Sequence, residues 1–257
     1  MKISIAGKGG VGKTTITAAL SLAFAKKNKK VIAIDADPDS NLLSALGVPK
    51  TTREKVTPLS EMYNLIEERT GARPGSSYGA LFCLTPKVDD LLDRYGIKIR
   101  ENLTALVLGT IKAGQGCFCP ENALLRALID HLLKERKEIV LLDMEAGLEH
   151  LGRGSIKNID ALFVIVEPGM KSIETAERIK TLANDLGIKR IYTIINKIKN
   201  KDQEKIIKEK IKKLGLPIIG VLPFDDTLQT LDLNDQGISP DTLLFKKIEK
   251  ITTNLNL

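Results

Sequence analysis

Long apolar segments are missing from this sequence of 257 residues. No hydrophobic run approaches the ~20 residues that a helix needs to cross a bilayer. Residues 2–6 form a strand-like segment where a secreted protein would carry a signal peptide. The sequence therefore predicts a cytoplasmic protein without a membrane span. Internal repeats, low-complexity tracts and shifts in composition are missing too, so we expect one domain over residues 1–257.

Cysteine is also scarce, with three residues at Cys83, Cys117 and Cys119. Three unevenly spaced thiols do not form the disulfide framework of a small secreted protein. They fit a reducing compartment, where the cysteines that matter are metal ligands or redox groups. Cys83 has no cysteine neighbour, and we interpret it as a structural residue.

Acidic residues are outnumbered, since 32 Asp plus Glu face 39 Lys plus Arg and give a net charge of +7. Such an excess is compatible with nucleic acid or with an acidic partner. Much of it lies in residues 197–213, where lysines surround regularly spaced isoleucines. That spacing predicts a helix with one buried stripe and a solvated basic face. We therefore expect neither nucleic acid nor a membrane as a partner.

Short β-branched runs alternate with helical patterns along the chain. Alternation of this kind predicts βαβ units and a parallel sheet, and the runs are apolar throughout, as strands covered by helices on both faces are. We expect an α/β fold with a doubly wound, mostly parallel sheet flanked by helices, and a ligand at the carboxyl ends of the strands. The predicted strands span residues 2–6, 30–35, 104–109, 138–143, 161–166, 190–196 and 217–222.

Residues 50–100 form the least regular part of the chain. Prolines, glycines and serines interrupt them around a helical stretch at residues 59–69. We expect an insertion that lies over one edge of the sheet.

The first predicted strand leads directly into a glycine-rich loop. Residues 7–14 read GKGGVGKT, match the pattern GxxxxGKS/T and precede a helical segment at residues 15–25, which is the context that a P-loop requires. Backbone N–H groups of such a loop surround phosphate oxygens, Lys13 reaches the β and γ phosphates, and Thr14 binds Mg²⁺. The predicted nucleotide-binding residues of the loop are Gly9, Gly10, Val11, Gly12, Lys13, Thr14 and Thr15.

An extra lysine, Lys8, makes residues 8–15 read KGGVGKTT. The sequence thereby resembles the deviant Walker ATPases, which include MinD, ParA, the arsenite pump ATPase, the nitrogenase iron protein and CooC. The resemblance implies ATP as the nucleotide and a homodimer that forms around it. It also implies catalytic roles for Lys13 in its own site and for Lys8, which reaches across the dimer to the partner's phosphates.

An acidic segment follows the second predicted strand. Residues 35–41 read DADPDSN and resemble the switch I segment of the same ATPases, which implies that Asp37 orients the attacking water. Phosphoryl transfer depends mostly on positioning and charge stabilisation, so a carboxylate beside the γ-phosphate needs only to hold and polarise one water. The alternative is that these aspartates only cap a loop.

Three further residues complete the predicted nucleotide site. Asp143 ends the apolar run of residues 139–143, as in a Walker B segment that holds Mg²⁺ through water, and a switch II segment would continue to residue 154. Asn196 resembles the adenine-reading asparagine of the family, and Pro223 resembles the loop beside the base. An asparagine at the end of a strand is also a common turn former, so both interpretations of Asn196 stay open.

Two neighbouring cysteines, Cys117 and Cys119, precede Pro120 and an amphipathic helical pattern. Pro120 suits the first turn of that helix and holds Cys119 extended. Residues two apart in an extended segment face the same way, so both thiols can reach one metal ion, and the helix N-terminus favours the thiolate. Two thiolates supply half of a four-coordinate shell, and a two-fold dimer would supply four. A redox pair or two small buried side chains are the alternatives.

The cysteine pair narrows the resemblance to the CooC family, nickel-handling ATPases that mature the NiFeS cluster of carbon monoxide dehydrogenase. The matching segments are residues 8–15, CFC at residues 117–119 and DMEAGLEHLGRG at residues 143–154. The resemblance implies Ni²⁺ ligation by Cys117 and Cys119 and delivery to apo carbon monoxide dehydrogenase or to acetyl-CoA synthase. The spacing of the cysteines suits Zn²⁺ equally well.

Other functions remain as alternatives. A MinD- or ParA-like positioning ATPase would act on membrane or DNA, and residues 243–251 could form its interfacial helix, although a terminal helix docked on its own sheet has the same pattern. An iron–sulfur scaffold ATPase would carry a CxxC pair near its C-terminus, which this sequence lacks. His150 could assist a metal ion, but a single histidine in a polar segment is more often only solvated.

Overall fold

The computed structural model describes residues 1–37, 41–75, 81–109, 119–144 and 156–255. Its strands are β1 Lys2–Gly7, β2 Val31–Ala36, β3 Ile97–Arg100, β4 Leu103–Val107, β5 Ile139–Met144, β6 Ala161–Val166, β7 Ile191–Ile198 and β8 Ile218–Pro223. They form one sheet in the order β3-β4-β2-β5-β1-β6-β7-β8. All neighbouring strands are parallel except β3 and β4. The sheet confirms the predicted fold class.

Helices cover both faces of this sheet. In chain order they are α1 Lys13–Lys26, α2 Leu42–Ala45, α3 Lys50–Arg53, α4 Tyr63–Thr70, α5 Leu91–Tyr95, α6 Pro120–Lys134, α7 Met170–Asp185, α8 Lys201–Lys213, α9 Asp226–Leu233 and α10 Leu243–Asn254. A 3₁₀ turn at Leu59–Glu61 precedes α4.

The sheet is buried on both faces because its central strands are mostly apolar. Every residue of β1, β2 and β6 is buried. Successive side chains of a strand point to opposite faces, so each face needs a helical layer. Helices α6 and α7 pack into the core on one face, and α1 and α10 pack into the core on the other. Burial stabilises each layer by ~1.5–3 kcal/mol per large apolar side chain.

One strand was not predicted. β3 lies inside the segment of residues 50–100 that was expected to be an irregular insertion, and it pairs antiparallel with β4 at the edge of the sheet. Its four residues alternate between half-buried and exposed, as a strand with one solvated face does. A search for continuous apolar runs does not detect such a short alternating strand. The helical stretch predicted at residues 59–69 is observed as the 3₁₀ turn and α4.

The lysine-rich helix α8 has a buried stripe as predicted, but Ile206, which was expected to belong to it, is 55% exposed. Ile207 and Ile211 are buried, whereas the side chains of Lys205, Lys212 and Lys213 are exposed. The basic residues therefore face solvent, as expected for an amphipathic surface helix.

The C-terminal helix α10 is docked on the sheet. Leu244, Phe245 and Ile248 are at most 1% exposed. Lys26 Nζ lies 5.6 Å from the centroid of the Phe245 ring and 2.7 Å from Glu249 Oε1, which ties α10 to α1. Most of the apolar face that could have formed an interfacial helix is therefore part of the core, whereas Leu243 is 57% exposed. Within the described ranges, no helix has the length and apolar character that crossing a membrane requires.

Candidate functional site

The glycine-rich loop joins β1, inside the sheet, to the N-terminus of α1. Gly10 and Gly12 have φ angles of 81° and 93°, which residues with a Cβ rarely adopt. A Cβ on Gly12 would also lie 2.6 Å from Asn196 Nδ2. The loop thus requires glycine there. It leads into the first turn of α1, where free N–H groups and the helix dipole favour an anion.

A cavity of about 690 Å³ lies over this loop, within the range of small-molecule sites. Its walls include segments at the carboxyl ends of β1, β2, β7 and β8, as predicted for a doubly wound sheet, together with residues of α2, α9 and α10. The predicted site residues that line it are Gly9, Gly10, Gly12, Lys13, Thr14, Thr15, Asp37, Asn196 and Pro223. Val11, Lys8 and Asp143 are not part of this lining, and Val11 is fully buried.

Asp143 lies on β5, beside β1, and is fully buried. Thr17 Oγ1 donates a hydrogen bond of 3.2 Å to Asp143 Oδ1. Burial raises the pKa of Asp143 to about 6, while a hydrogen bond with Thr14 and the charge of Lys13 act in the opposite direction. Within the described ranges, Asp143 Oδ2 has no hydrogen-bond partner. A buried carboxylate whose Oδ2 accepts no hydrogen bond from the described residues offers the kind of oxygen ligand that Mg²⁺ prefers.

A second buried carboxylate, Asp35, lies opposite Asp143 in the register of β2 and β5. Its pKa is raised to about 7, first by burial and then by the charge of Asp143. Asp35 Oδ1 accepts from the N–H of Asp37 over 3.2 Å, and Oδ2 accepts from the N–H of Leu42 over 3.0 Å. Asp35 was not predicted as a site residue, nor was Thr17. Residues 38–40 of the predicted switch I segment lie outside the described ranges.

Two residues of β7 contact the tip of the glycine-rich loop. Asn196 Nδ2 donates to the carbonyl of Val11 over 2.8 Å, and Lys197 Nζ donates to the carbonyl of Gly10. Lys197 Nζ also lies 3.2 Å from Glu167 Oε2. Asn196 therefore binds the loop backbone as well as lining the cavity. Lys197 was not predicted, because its contact with the loop depends on the tertiary arrangement.

The end of β8 supplies one wall of the cavity through its last residue, Pro223, and through Phe224, which follows it. The backbone N–H of Phe224 donates to the carbonyl of Ile198 over 2.9 Å. Lys199 Nζ lies 4.6 Å from the centroid of the Phe224 ring, a cation–π distance. These contacts fix an apolar surface of the kind on which a nucleobase stacks.

Lys8 is not part of the cavity lining, and its side chain is 40% exposed. Its Nζ lies 3.8 Å from Glu167 Oε1. An exposed pair at this distance contributes only ~0–1 kcal/mol. The ammonium group can therefore leave Glu167 for a stronger anionic partner at little cost.

Cys119 occupies the position before α6 in an extended conformation, with φ −121° and ψ 148°. Pro120 is the first residue of the helix, as predicted. Cys119 is half-buried and Cys83 is exposed, so Cys83 has no role in the core. Cys117 and His150 lie outside the described ranges, as does the predicted switch II segment after residue 144. The described residues contain no group of three or more histidine, cysteine or carboxylate side chains arranged to hold a metal ion.

Known proteins resemble this chain over most of its length. Residues 3–238 match the family model of the CobQ/CobB/MinD/ParA nucleotide binding domain. An uncharacterised ATP-binding protein of Methanocaldococcus jannaschii is 49% identical over 253 residues, which cover 98% of this chain and 96% of that protein. The carbon monoxide dehydrogenase accessory protein CooC of Rhodospirillum rubrum is 46% identical over 238 residues, covering 90% and 87%.

Solved structures extend the comparison to the fold. The septum site-determining protein MinD of Pyrococcus horikoshii, complexed with Mg-ADP, superposes with a TM-score of 0.67. The match covers 99% of this chain and 95% of that one at 19% identity. A likeness at this level of identity shows the fold alone.

Proposed function

Because this chain belongs to the CobQ/CobB/MinD/ParA nucleotide-binding family, we propose that it is a cytoplasmic metallochaperone that hydrolyses ATP to ADP and phosphate. A homodimer would bind Ni²⁺ through Cys117 and Cys119 and help to insert it into the NiFeS cluster of carbon monoxide dehydrogenase. The observation that carries this proposal is the likeness to CooC over 90% of the chain.

The glycine-rich loop and the cavity above it support the nucleotide part of the proposal. In the proposed cycle the phosphates of ATP bind to backbone N–H groups of residues 9–15, next to the partial positive charge of α1. Lys13, which is 6% exposed, neutralises charge on the β and γ phosphates. Thr14 and Asp143 would hold Mg²⁺, which stabilises negative charge on the phosphates when it is bound.

Hydrolysis also requires a group that orients water. Asp37 lines the same cavity as Lys13 and Thr14, and its carboxylate is proposed to accept a hydrogen bond from the attacking water. The water oxygen then forms a bond to the γ-phosphorus, the bond from that phosphorus to the β–γ bridging oxygen breaks, and a proton of the water passes to the released phosphate. The products are ADP and phosphate, and the protein needs only to position and stabilise charge.

The start of α6 supports the metal part of the proposal. Cys119 is extended and adjoins the helix N-terminus, where the helix dipole favours a thiolate. In extended backbone the residue two positions earlier, Cys117, would face the same side. Four thiolates of two protomers would complete the shell of one divalent ion. Zn²⁺ accepts the same donors. The physiological metal must therefore be identified by testing which metal-loaded protein activates the client enzyme.

Nickel transfer to the client enzyme tests the proposal. Apo carbon monoxide dehydrogenase is incubated with the nickel-loaded protein and ATP, and the oxidation of carbon monoxide is followed. We expect faster activation than with the same concentration of free Ni²⁺, and no gain with a nonhydrolysable ATP analogue or with the zinc-loaded protein. Equal activation by free Ni²⁺ would remove the proposed function. A parallel assay with apo acetyl-CoA synthase distinguishes the two possible clients.

The alternative function is that of a positioning ATPase acting on membrane or DNA. The buried apolar face of α10 disfavours the membrane form of this function, because that face would have to leave the core to enter a membrane. Pelleting with liposomes or DNA distinguishes the two functions. ATP-dependent retention on either material would favour the alternative.

Lys8→Ala is expected to weaken ATP-induced dimerisation by roughly tenfold, or ~1.4 kcal/mol. The side chain of Lys8 is 40% exposed and only weakly paired with Glu167, so its ammonium group is available to a phosphate of the partner's nucleotide. Analytical ultracentrifugation with a nonhydrolysable analogue measures the effect. Lys98→Ala, which removes an exposed lysine from the edge strand β3, should leave dimerisation unchanged. An unchanged response of Lys8→Ala would exclude a role for Lys8 across the dimer.

A further inference from the structure

We propose that Asp35 is a positioning residue that fixes the backbone of Asp37 and of Leu42 to the sheet, and so determines where Asp37 holds water. The inference deepens the proposed function and rests on the proposed role of Asp37 in hydrolysis.

The two oxygens of one carboxylate hold two separate points of the chain. Asp35 Oδ1 accepts a hydrogen bond from the N–H of Asp37, and Asp35 Oδ2 accepts one from the N–H of Leu42. Leu42 is the first residue of α2. The N–H of Leu42 belongs to the first turn of a helix, where N–H groups lack partners within the helix. The carboxylate of Asp35 thus bridges residue 37 and residue 42.

Asp35 is itself rigidly held. It is 1% exposed and lies on β2, which pairs with β4 on one side and with β5 on the other. Its own carbonyl accepts the N–H of Leu108 over 2.8 Å. The two hydrogen bonds that its carboxylate accepts therefore fix the backbone of Asp37 and of Leu42 relative to the centre of the sheet. The glycine-rich loop begins at the same part of the sheet.

The free-energy cost of burying the Asp35 carboxylate indicates that this carboxylate has a function in the nucleotide site. Burying a carboxylate beside the carboxylate of Asp143 is unfavourable, and a neutral side chain would avoid that cost. Asparagine, however, would present an NH₂ donor to one of the two backbone donors, so it can satisfy only one of them. Misplacement of a catalytic group by ~1 Å can cost 10²-fold in rate. Precise placement of Asp37 is therefore a sufficient reason for a carboxylate at position 35.

Asp35→Asn provides the first test. We expect phosphate release to fall roughly 30- to 100-fold, with the dissociation constant of a fluorescent ATP analogue changed less than about threefold, because Asp35 does not line the cavity. Thr70→Val is the matched control, since it removes a buried hydrogen-bonding group from α4 and leaves the site intact. Its rate should equal that of the parent protein.

A double variant separates positioning from a general structural effect. If Asp35 acts through Asp37, then Asp35→Asn combined with Asp37→Ala should hydrolyse ATP no more slowly than Asp37→Ala alone. A further loss of the same size in the double variant would contradict the positioning role.

Amide hydrogen exchange tests the hydrogen bonds without relying on hydrolysis. In the parent protein the amides of Asp37 and Leu42 should be protected, and in Asp35→Asn at least one should exchange roughly tenfold faster or more. The amide of Leu108, which binds the carbonyl of Asp35, should not change. Unprotected amides in the parent protein would overturn the inference even if the variant failed to fold. Normal hydrolysis by Asp37→Ala with protected amides would instead reject only the proposed role of Asp37.

Discussion

Lys13→Ala is expected to abolish productive binding of Mg-ATP, whereas Asp37→Ala is expected to bind ATP and to hydrolyse it roughly 10²- to 10⁴-fold more slowly. Lys13 belongs to the loop that is proposed to bind phosphates, where its ammonium group would compensate charge in the ground state as well as in the transition state. Asp37 lines the same cavity but carries negative charge, so it contributes nothing to holding phosphates. Binding and turnover should therefore separate between the two variants.

Equilibrium binding of a fluorescent ATP analogue and a phosphate-release assay measure the two effects. For Lys13→Ala we expect affinity to fall roughly 100-fold or more, or ~2.7 kcal/mol. Asp37→Asn is the matched control for shape, because it keeps the size of the side chain and removes its charge. It should be as slow as Asp37→Ala. Hydrolysis by Asp37→Ala at the rate of the parent protein would refute the assignment of Asp37.

The glycine-rich loop could be located from the sequence because its signal is local. A strand pattern, the glycines, Lys13 and Thr14 follow one another within a few residues, and the conformation that each glycine adopts is a property of its own backbone. Asp37, Asn196 and Pro223 were predicted at strand ends, and the parallel sheet brings those ends to one cavity. A fold-level rule is sufficient for that step.

The contacts between these segments could not be predicted in the same way. Asp35 meets Asp143 only because β2 and β5 are neighbours in the sheet, and Thr17 reaches Asp143 from a helix that is distant in sequence. The bonds from Asn196 and Lys197 to the loop carbonyls depend likewise on how β7 is placed. Sequence patterns give the faces and ends of elements, but not the pairing order that joins distant side chains.

Cys117 and Cys119 from two protomers are expected to bind one Ni²⁺ per dimer. Each chain offers two thiolates in this motif, and four-coordination is usual for thiolate-rich sites. By linkage, an ion shared between protomers tightens the dimer as much as the dimer tightens the ion. Acid should weaken both, because protons compete with the metal for thiolates whose ordinary pKa is about 8.5.

Equilibrium dialysis and analytical ultracentrifugation measure metal affinity and dimerisation on the same samples. Cys117→Ser and Cys119→Ser should each lose roughly 100-fold or more in Ni²⁺ affinity, together with metal-induced dimerisation. Cys83→Ser is the matched control, since it removes an exposed thiol that does not belong to the predicted metal-binding pair, and it should retain both properties. One tightly bound ion per monomer, or full binding by the double serine variant, would exclude a site shared between protomers. The ligands would then have to be sought elsewhere, first at His150.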